Sequence, residues 1–143
     1  MKYSTSSLIH QLNVEMNRAA DRLLQAQADL SYSRFNCLFH ILELDSASQH
    51  TLAVAMGYSD PAISKMVNEL CEDGLVKINL DPRHKRRKIV RLSTRGKKTA
   101  DKCLELLDEC FTDVVNQAGI NETKYAEHTF ALLQAMKHKN KEY

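Results

Sequence analysis

The sequence predicts a mainly α-helical fold that carries one small β-hairpin. Apolar residues recur at three- and four-residue spacings through both long flanks, which is the period of a helix. Three of the four glycines and both prolines fall between residues 57 and 96, so the middle of the chain consists of short elements joined by turns. Within that middle part, two segments alternate between apolar and polar residues, as strands do.

The N-terminal flank is predicted to form two helices. Residues 6–28 carry a stripe of apolar side chains at helical spacing: Leu8, Leu12, Met16, Ala19, Ala20, Leu23 and Leu24. Ser31 is a suitable N-cap for the second helix. We predict that the inner stripe of this second helix consists of Phe35, Leu38, Phe39 and Leu42.

Residues 48–74 predict two short helices joined by a tight turn. Ser48 can cap the first helix, which runs to about Met56. Residues 57–59, Gly-Tyr-Ser, form the three-residue turn with glycine that a helix-turn-helix contains. Ser59 or Asp60 caps the second helix, and Gly74 follows its last turn.

The second of these helices has two unlike faces. At 100° per residue, Ile63, Val67 and Leu70 share a face that must enter the core. The opposite face carries short or flexible polar groups and one cation, namely Pro61, Lys65 and Asn68, flanked by Ala62 and Ser64. Such a face suits a helix that enters a DNA major groove, and Ser59 at the helix N-terminus suits a phosphate. An ordinary exposed polar face explains the same pattern equally well.

A strongly basic block follows. Nine of the 16 residues from Arg83 to Lys98 are Lys or Arg, and none is acidic, whereas the rest of the chain has 11 basic and 18 acidic residues. Such asymmetry favours a polyanion-binding patch, although a solvated charge run remains an alternative. The alternating segments "LVKINL" and "KIVRLS" make the block the tip and return strand of a hairpin, in which Val90 and Leu92 are anchors. We predict that residues 81–88 are too long and too charged for a two-residue turn.

The C-terminal flank predicts two further helices. The first begins near Thr94 and ends at Gly119, and Asn121 caps the second. Their apolar faces are broad: Ala100, Cys103, Leu104, Leu107, Cys110, Phe111, Val114 and Val115 in the first, and Tyr125, Leu132, Leu133 and Met136 in the second. We expect these faces to pack on the middle of the chain and on a second copy of it.

A helix-turn-helix followed by a basic hairpin is a winged helix, and residues 48–96 resemble the MarR family of bacterial transcription regulators. The resemblance lies in "TLAVAMGYSDPAISKMVNEL", "GLV", "DPRHKR" and "VRLSTRG", about a third of the chain. It implies one MarR-type domain over residues 1–143, with a DNA-binding lobe at about 31–98. Residues 1–30 and 99–143 would then be dimerisation helices.

The resemblance also implies site residues. Ser64, Lys65 and Asn68 would face the major groove, with Ser59, Pro61 and Ala62 at the groove entrance. Arg86 matches the wing arginine that reaches the minor groove, where an arginine is favoured by the deep negative potential. The remaining basic side chains of the wing tip are predicted to hold phosphates: Arg83, Lys85, Arg87 and Lys88. His84 replaces an acid that holds the wing arginine in the family, and Asp81 could partly substitute for it.

The expected function is therefore a homodimeric, cytoplasmic repressor that binds a pseudo-palindrome in double-stranded DNA, with no cofactor, no metal and no membrane contact. The resemblance also implies a small-molecule effector. No phosphate loop, H-E-x-x-H motif or nucleophile elbow occurs, so an enzyme is not expected. A protein–protein adaptor, RNA binding, and redox or metal sensing through a cysteine remain alternatives. The four cysteines are expected to be reduced and buried.

Overall fold

The computed structural model describes residues 3–141, apart from the side chain of Lys85. The predicted class is confirmed, because most of these residues are helical and a three-stranded antiparallel sheet completes the fold. The elements in chain order are α1 (Thr5–Ala28), α2 (Tyr32–Leu44), β1 (Ala47–Ser48), α3 (Gln49–Met56), α4 (Asp60–Glu72), β2 (Val76–Asp81), β3 (His84–Leu92), α5 (Thr94–Gln117) and α6 (Glu122–Lys139). The chain forms two compact units, divided between residues 106 and 107.

Serine hydroxyls cap the first four helices. The caps are Ser4, Ser31, Ser48 and Ser59, and each Oγ accepts a hydrogen bond from the backbone N–H three residues later. A helix leaves its first N–H groups without backbone partners, so each cap satisfies one of them. The predicted starts of α2, α3 and α4 are thereby confirmed.

The core of the first unit is built around α2, which contacts α1, α3, α4 and β3. The buried side chains of α2 are Phe35, Cys37, Leu38 and Ile41. The prediction of Phe39 and Leu42 in this stripe is wrong, because both are only half-buried. A helix with neighbours on several sides buries a wider arc than one amphipathic stripe, and Cys37 and Ile41 occupy the added part of that arc.

The sheet has the strand order β1-β3-β2, and all its pairs are antiparallel. The two-residue strand β1 was not predicted. It pairs Ala47 with Val90 and Ser48 with Ile89, which places β3 in the centre of the sheet. Val90 has no exposed surface, as its predicted anchoring role requires.

The tip of the hairpin differs from the prediction. Strand β2 ends at Asp81 and β3 begins at His84, so Pro82 and Arg83 alone form the turn. The buried Asp81 carboxylate accepts a hydrogen bond from the Arg83 backbone N–H at 2.9 Å, which stabilises this turn. Residues 85–87 stand between the pairs Asp81–His84 and Leu80–Lys88 and have no partner on β2. The predicted long loop is therefore a tight turn followed by a bulge in β3.

The turn after α4 is joined to the start of α5. The Ser93 backbone N–H donates to the Leu75 carbonyl oxygen at 3.0 Å, and the Ser93 hydroxyl donates to the Gly74 carbonyl at 2.6 Å. Gly96 lies so close to this turn that a Cβ atom there would be 1.8 Å from the Leu75 carbonyl oxygen. Only glycine fits this position, so the end of α4 depends on it.

The second unit consists of the rest of α5 and α6. Gly119 has a φ of 69° in the turn between them, and the Asn121 side chain caps α6 by accepting from the Lys124 N–H at 3.0 Å. Both features match the sequence prediction. Helix α6 has no buried residue, and its large apolar side chains are exposed: Phe130, Leu132, Leu133 and Met136.

All four cysteines are free thiols, as expected. The expectation that they are all buried is wrong, because Cys71 is exposed on α4 and Cys110 is half-buried. Burial raises the pKa of the Cys37 thiol to about 11, and burial also raises the pKa of Cys103. Within residues 3–141, no three His, Cys, Asp or Glu side chains group as metal ligands do. No helix in the same range combines the length and apolar character needed to cross a bilayer.

Candidate nucleic-acid interface

Helix α4 is anchored in the core by the residues that were predicted from the sequence to form its inner face. Ile63, Val67 and Leu70 have no exposed surface. With this face in the core, the opposite face must point away from the unit. At the N-terminus, the Ser59 Oγ accepts a hydrogen bond from the Ala62 N–H at 3.3 Å, which leaves the hydroxyl hydrogen free to be donated to a phosphate.

The outward face of α4 carries the six predicted contact residues. Ser59, Pro61, Ala62, Lys65 and Asn68 are exposed, and Ser64 is half-buried. The only charge among them is the Lys65 ammonium, whose Nζ lies 4.0 Å from Glu69 Oε1. Both side chains are largely solvated, so this pair is weak and leaves the lysine available. This face can therefore donate and accept hydrogen bonds at base edges while carrying a low density of charge.

The wing carries the opposite kind of surface. Arg83, Arg86, Arg87 and Lys88 are exposed, whereas the side chain of Lys85 lies outside the described part of the structure. None of these four residues forms an ion pair with a residue that the structure describes. Their charge is therefore available to an external polyanion.

The predicted substitute for the missing wing acid is wrong. Asp81 turns inward and its carboxylate accepts from the Arg83 backbone, so it does not hold the Arg86 guanidinium. Asp81 instead fixes the backbone of the turn. Arg86 stands in the bulge of β3, and it is positioned by its backbone and not by a neighbouring carboxylate in the described chain.

An open cleft of about 760 Å³ separates the wing from the start of α3. Ser48, Gln49 and His50 line one side, and the other side is formed by His84, Arg86, Arg87 and Lys88. The His50 Nδ1 lies 3.2 Å from Asp60 Oδ1, which connects this edge to the first turn of α4. The N-terminus of α3 was not among the predicted site residues. Only the pairing of β1 with β3 brings it beside the wing, and that pairing has no local sequence signal.

The arrangement has two parts that match the two demands of duplex recognition. The firmly held helix, which has one charge among its six candidate contact residues, suits base edges, whereas the exposed cations and the α3 N-terminus suit phosphates. A basic concave edge next to a protruding helix is the electrostatic pattern of a nucleic-acid interface.

Comparisons with known proteins agree with this geometry. Residues 28–87 match the MarR family. A crystal structure of a MarR mutant from E. coli superposes with a TM-score of 0.83 at 20% identity, covering 95% of this chain and 98% of that chain. The crystal structure of the S. aureus MepR–DNA complex has a TM-score of 0.76 at 23% identity and covers 96% of this chain and 99% of that chain.

A MarR mutant from E. coli in complex with operator DNA gives a TM-score of 0.74 at 21% identity, with 90% of each chain covered. No curated protein sequence matches the chain. The resemblance to the MarR family is thus confirmed over residues 28–87, and the fold is that of the MarR winged-helix transcription regulators.

Proposed function

We propose that this chain, which matches the MarR family over residues 28–87 and has the fold of its winged-helix regulators, is a sequence-specific regulator of transcription that binds double-stranded DNA. One observation carries the proposal. The outward face of α4 is polar and firmly held, and the wing of the same unit carries cations that have no acidic partner in the described chain. No part of this surface resembles a catalytic constellation, and we propose no enzymatic activity.

In this proposal α4 enters the major groove by its N-terminal half. Ser64, Lys65 and Asn68 contact base edges, and Ser59 with Pro61 and Ala62 lies at the groove entrance. The wing follows the sugar–phosphate backbone. Arg86 reaches the minor groove, and the other wing cations, Arg83, Lys85, Arg87 and Lys88, bind phosphates.

The proposed DNA-binding form is a homodimer. Helix α1 exposes Leu8, Ile9 and Leu12, and helix α6 exposes four large apolar side chains, so each presents apolar surface that a second copy can cover. Two symmetric copies would place two α4 helices on a pseudo-palindrome whose half-sites lie about 34 Å apart. The helices outside residues 31–98 are then the dimerisation region.

We further propose that the protein acts in the cytoplasm as a repressor that a small molecule releases from DNA. Repression and response to an effector follow from the family resemblance. The MepR relative is described as a transcription regulator of a multidrug efflux pump, and this supports a regulatory function of the same kind.

Selection of bound sites from random duplex DNA with the purified protein tests the proposal. We expect enrichment of a palindromic consensus with half-sites one helical turn apart. A Lys65→Ala/Asn68→Ala variant should fold normally, because both side chains are exposed on α4. It should fail to enrich that consensus, because it lacks two of the proposed base contacts. The absence of any enriched sequence with the unaltered protein would contradict DNA recognition and favour a protein–protein adaptor.

A further inference from the structure

The cleft between the wing and the start of α3 has a histidine on each wall. His50 is the second residue of α3, and His84 is the first residue of β3. Both side chains are exposed and line the same space of about 760 Å³. An imidazole is the one side chain whose charge ordinarily changes between about pH 5 and pH 8. The charge of this cleft therefore depends on pH.

The rest of the cleft lining is neutral or basic. It consists of Ser48, Gln49, Arg86, Arg87 and Lys88. No carboxylate of the described chain lines this space. The first turn of α3 forms one wall, and a helix N-terminus carries a partial positive charge. The cleft thus suits an anion, and protonation of the two imidazoles would add two positive charges to it.

Gln49 contributes a hydrogen-bond donor that lacks an acceptor. Its side-chain Nε2 is buried and has no hydrogen-bond partner among the described residues. A buried donor without an acceptor is unfavourable, and an oxygen atom of an anion that enters the cleft can supply the missing acceptor. This donor indicates an anionic ligand independently of the charges around it.

Two carboxylates lie near the histidines without lining the cleft. The His50 Nδ1 is 3.2 Å from the Asp60 Oδ1, and both side chains are exposed. Asp81 is the strand partner of His84, but its buried carboxylate accepts from the Arg83 backbone N–H. Helix α2 also packs against α3 and β3, and none of its described residues lines the cleft. Protonation of His50 would neutralise Asp60, which otherwise repels a phosphate near the first turn of α4.

We propose that the backbone of bound DNA passes through this cleft and that His50 and His84 contact its phosphates in their protonated forms, so that binding takes up protons. The proposal rests on the proposed function. An imidazole ordinarily has a pKa of about 6.5, and contact with a phosphate favours its charged form. The contribution to binding is therefore complete below the pKa of the free imidazole and is lost as the pH rises through the higher pKa in the complex. The protein would hold DNA more tightly in slightly acidic conditions.

The affinity of the full-length protein for a labelled duplex with the selected site tests this by fluorescence anisotropy at constant ionic strength. We expect binding to strengthen about tenfold or more from about pH 8 to about pH 6. The slope of log affinity against log salt should also become steeper at the lower pH, by about one unit for each histidine that gains a phosphate contact. An affinity that does not change with pH, or an unchanged salt slope, would overturn the proposal.

Substitutions of the histidines assign the effect to the cleft. His50→Gln and His84→Gln should each weaken binding at about pH 6 and have little effect at about pH 8, where an imidazole is ordinarily uncharged. His84→Lys keeps a positive charge at both pH values, so it should strengthen binding at about pH 8 and reduce the pH dependence. His40→Gln alters a half-buried histidine of α2 outside the cleft and should leave the pH dependence unchanged.

If His84→Gln does not fold, His84→Lys decides, because a purely structural role gives no reason for tighter binding at the higher pH. An unchanged pH dependence in both glutamine variants, or its loss in His40→Gln, would overturn the proposal.

A duplex of unrelated sequence separates this proposal from the proposed function. Binding that depends on pH and on both histidines, but shows no preference for the selected site, would overturn the proposed function and keep the cleft. Sequence-specific binding that is independent of pH would overturn the cleft and keep the proposed function. Failure to bind either duplex at either pH would overturn both.

Discussion

Helix α4 and the wing tip, residues 81–88, present opposite surfaces to the proposed DNA. Three fully buried side chains hold α4, and its exposed face has one cation among the six candidate contact residues. The described part of the wing tip has one buried polar side chain, the Asp81 carboxylate that accepts from the Arg83 backbone N–H, and its cations extend into solvent. Base edges demand fixed positions, whereas phosphates accept long side chains from many directions. Under the proposed function, α4 would therefore supply sequence specificity and the wing would supply affinity.

Gly96→Ala should disrupt the packing that fixes the C-terminal end of α4. The new Cβ would overlap the Leu75 carbonyl oxygen, so the turn after α4 and the start of α5 would have to separate. We expect a loss of about 3 kcal/mol or more in the free energy of unfolding, measured with urea. Gly119→Ala is the control, because a Cβ atom added there would meet no atom within 4 Å. The positive φ of this residue is then the only unfavourable factor, and we expect it to lower the free energy of unfolding by about 1 kcal/mol. Equal losses in the two variants would show that Gly96 does not fix the end of α4.

Specificity in α4 is tested by Asn68→Ala. Loss of a side-chain amide that contacts a base should relax the preference at one position in each half-site by about 1–3 kcal/mol and leave other positions unchanged. The measurement is competition binding with single-base variants of the selected site. Glu43→Gln, at an exposed residue of α2 outside the proposed contacts and the proposed dimerisation region, should change nothing. Uniform weakening on all sequences would make Asn68 a backbone contact and break the division between the two elements.

Affinity in the wing is tested by Arg86→Ala. We expect weaker binding to all duplexes and a reduction of about one unit in the slope of log affinity against log salt for each phosphate that the variant no longer neutralises. Lys77→Ala serves as a control of equal charge change, at an exposed residue of β2 outside the proposed contacts and the proposed dimerisation region. If the slope stays the same, the wing does not neutralise phosphates through this residue.

The smallest effect on DNA binding is expected from oxidants. The pKa of Cys37 is about 11 because of burial, so this thiol stays protonated at pH 7 and is a poor nucleophile. Its protonated form stabilises the folded state fully below pH 9, and that contribution declines as the pH rises from 9 towards 11. Maleimide labelling followed by mass spectrometry should modify the exposed Cys71 and spare Cys37. A loss of DNA affinity after peroxide treatment would favour the redox-sensing alternative.

The parts of the fold that depend on local chemistry were predictable from the sequence. Serine caps, the glycine turn of the helix-turn-helix and the buried face of α4 each involve residues within a few positions of one another. The outward residues of α4 were found in the same way, because an exposed face is the complement of a buried one, whereas Arg86 was assigned through the resemblance to the MarR family. Their contacts with DNA remain predictions.

Features that depend on distant partners were not predictable. Strand β1 is two residues long and exists because β3 lies beside it, so it has no alternating pattern of its own. The two-residue turn of the wing depends on Asp81 being buried, which its charge argues against. The inner face of α2 was misassigned because several elements surround this helix. The cleft beside α3 was missed for the same reason as β1.

The position of Ser48 has a mechanical consequence. This residue is the last of β1, where it pairs with Ile89 of β3, and it is also the N-cap of α3. No loop separates the sheet from the helix, so no flexible joint absorbs a force that acts on the wing. A DNA backbone that displaces the wing would exert a torque on α3 and, through the packing of α3 against α4, on α4. In the proposed complex, the width of the minor groove would then set the angle at which α4 meets the DNA.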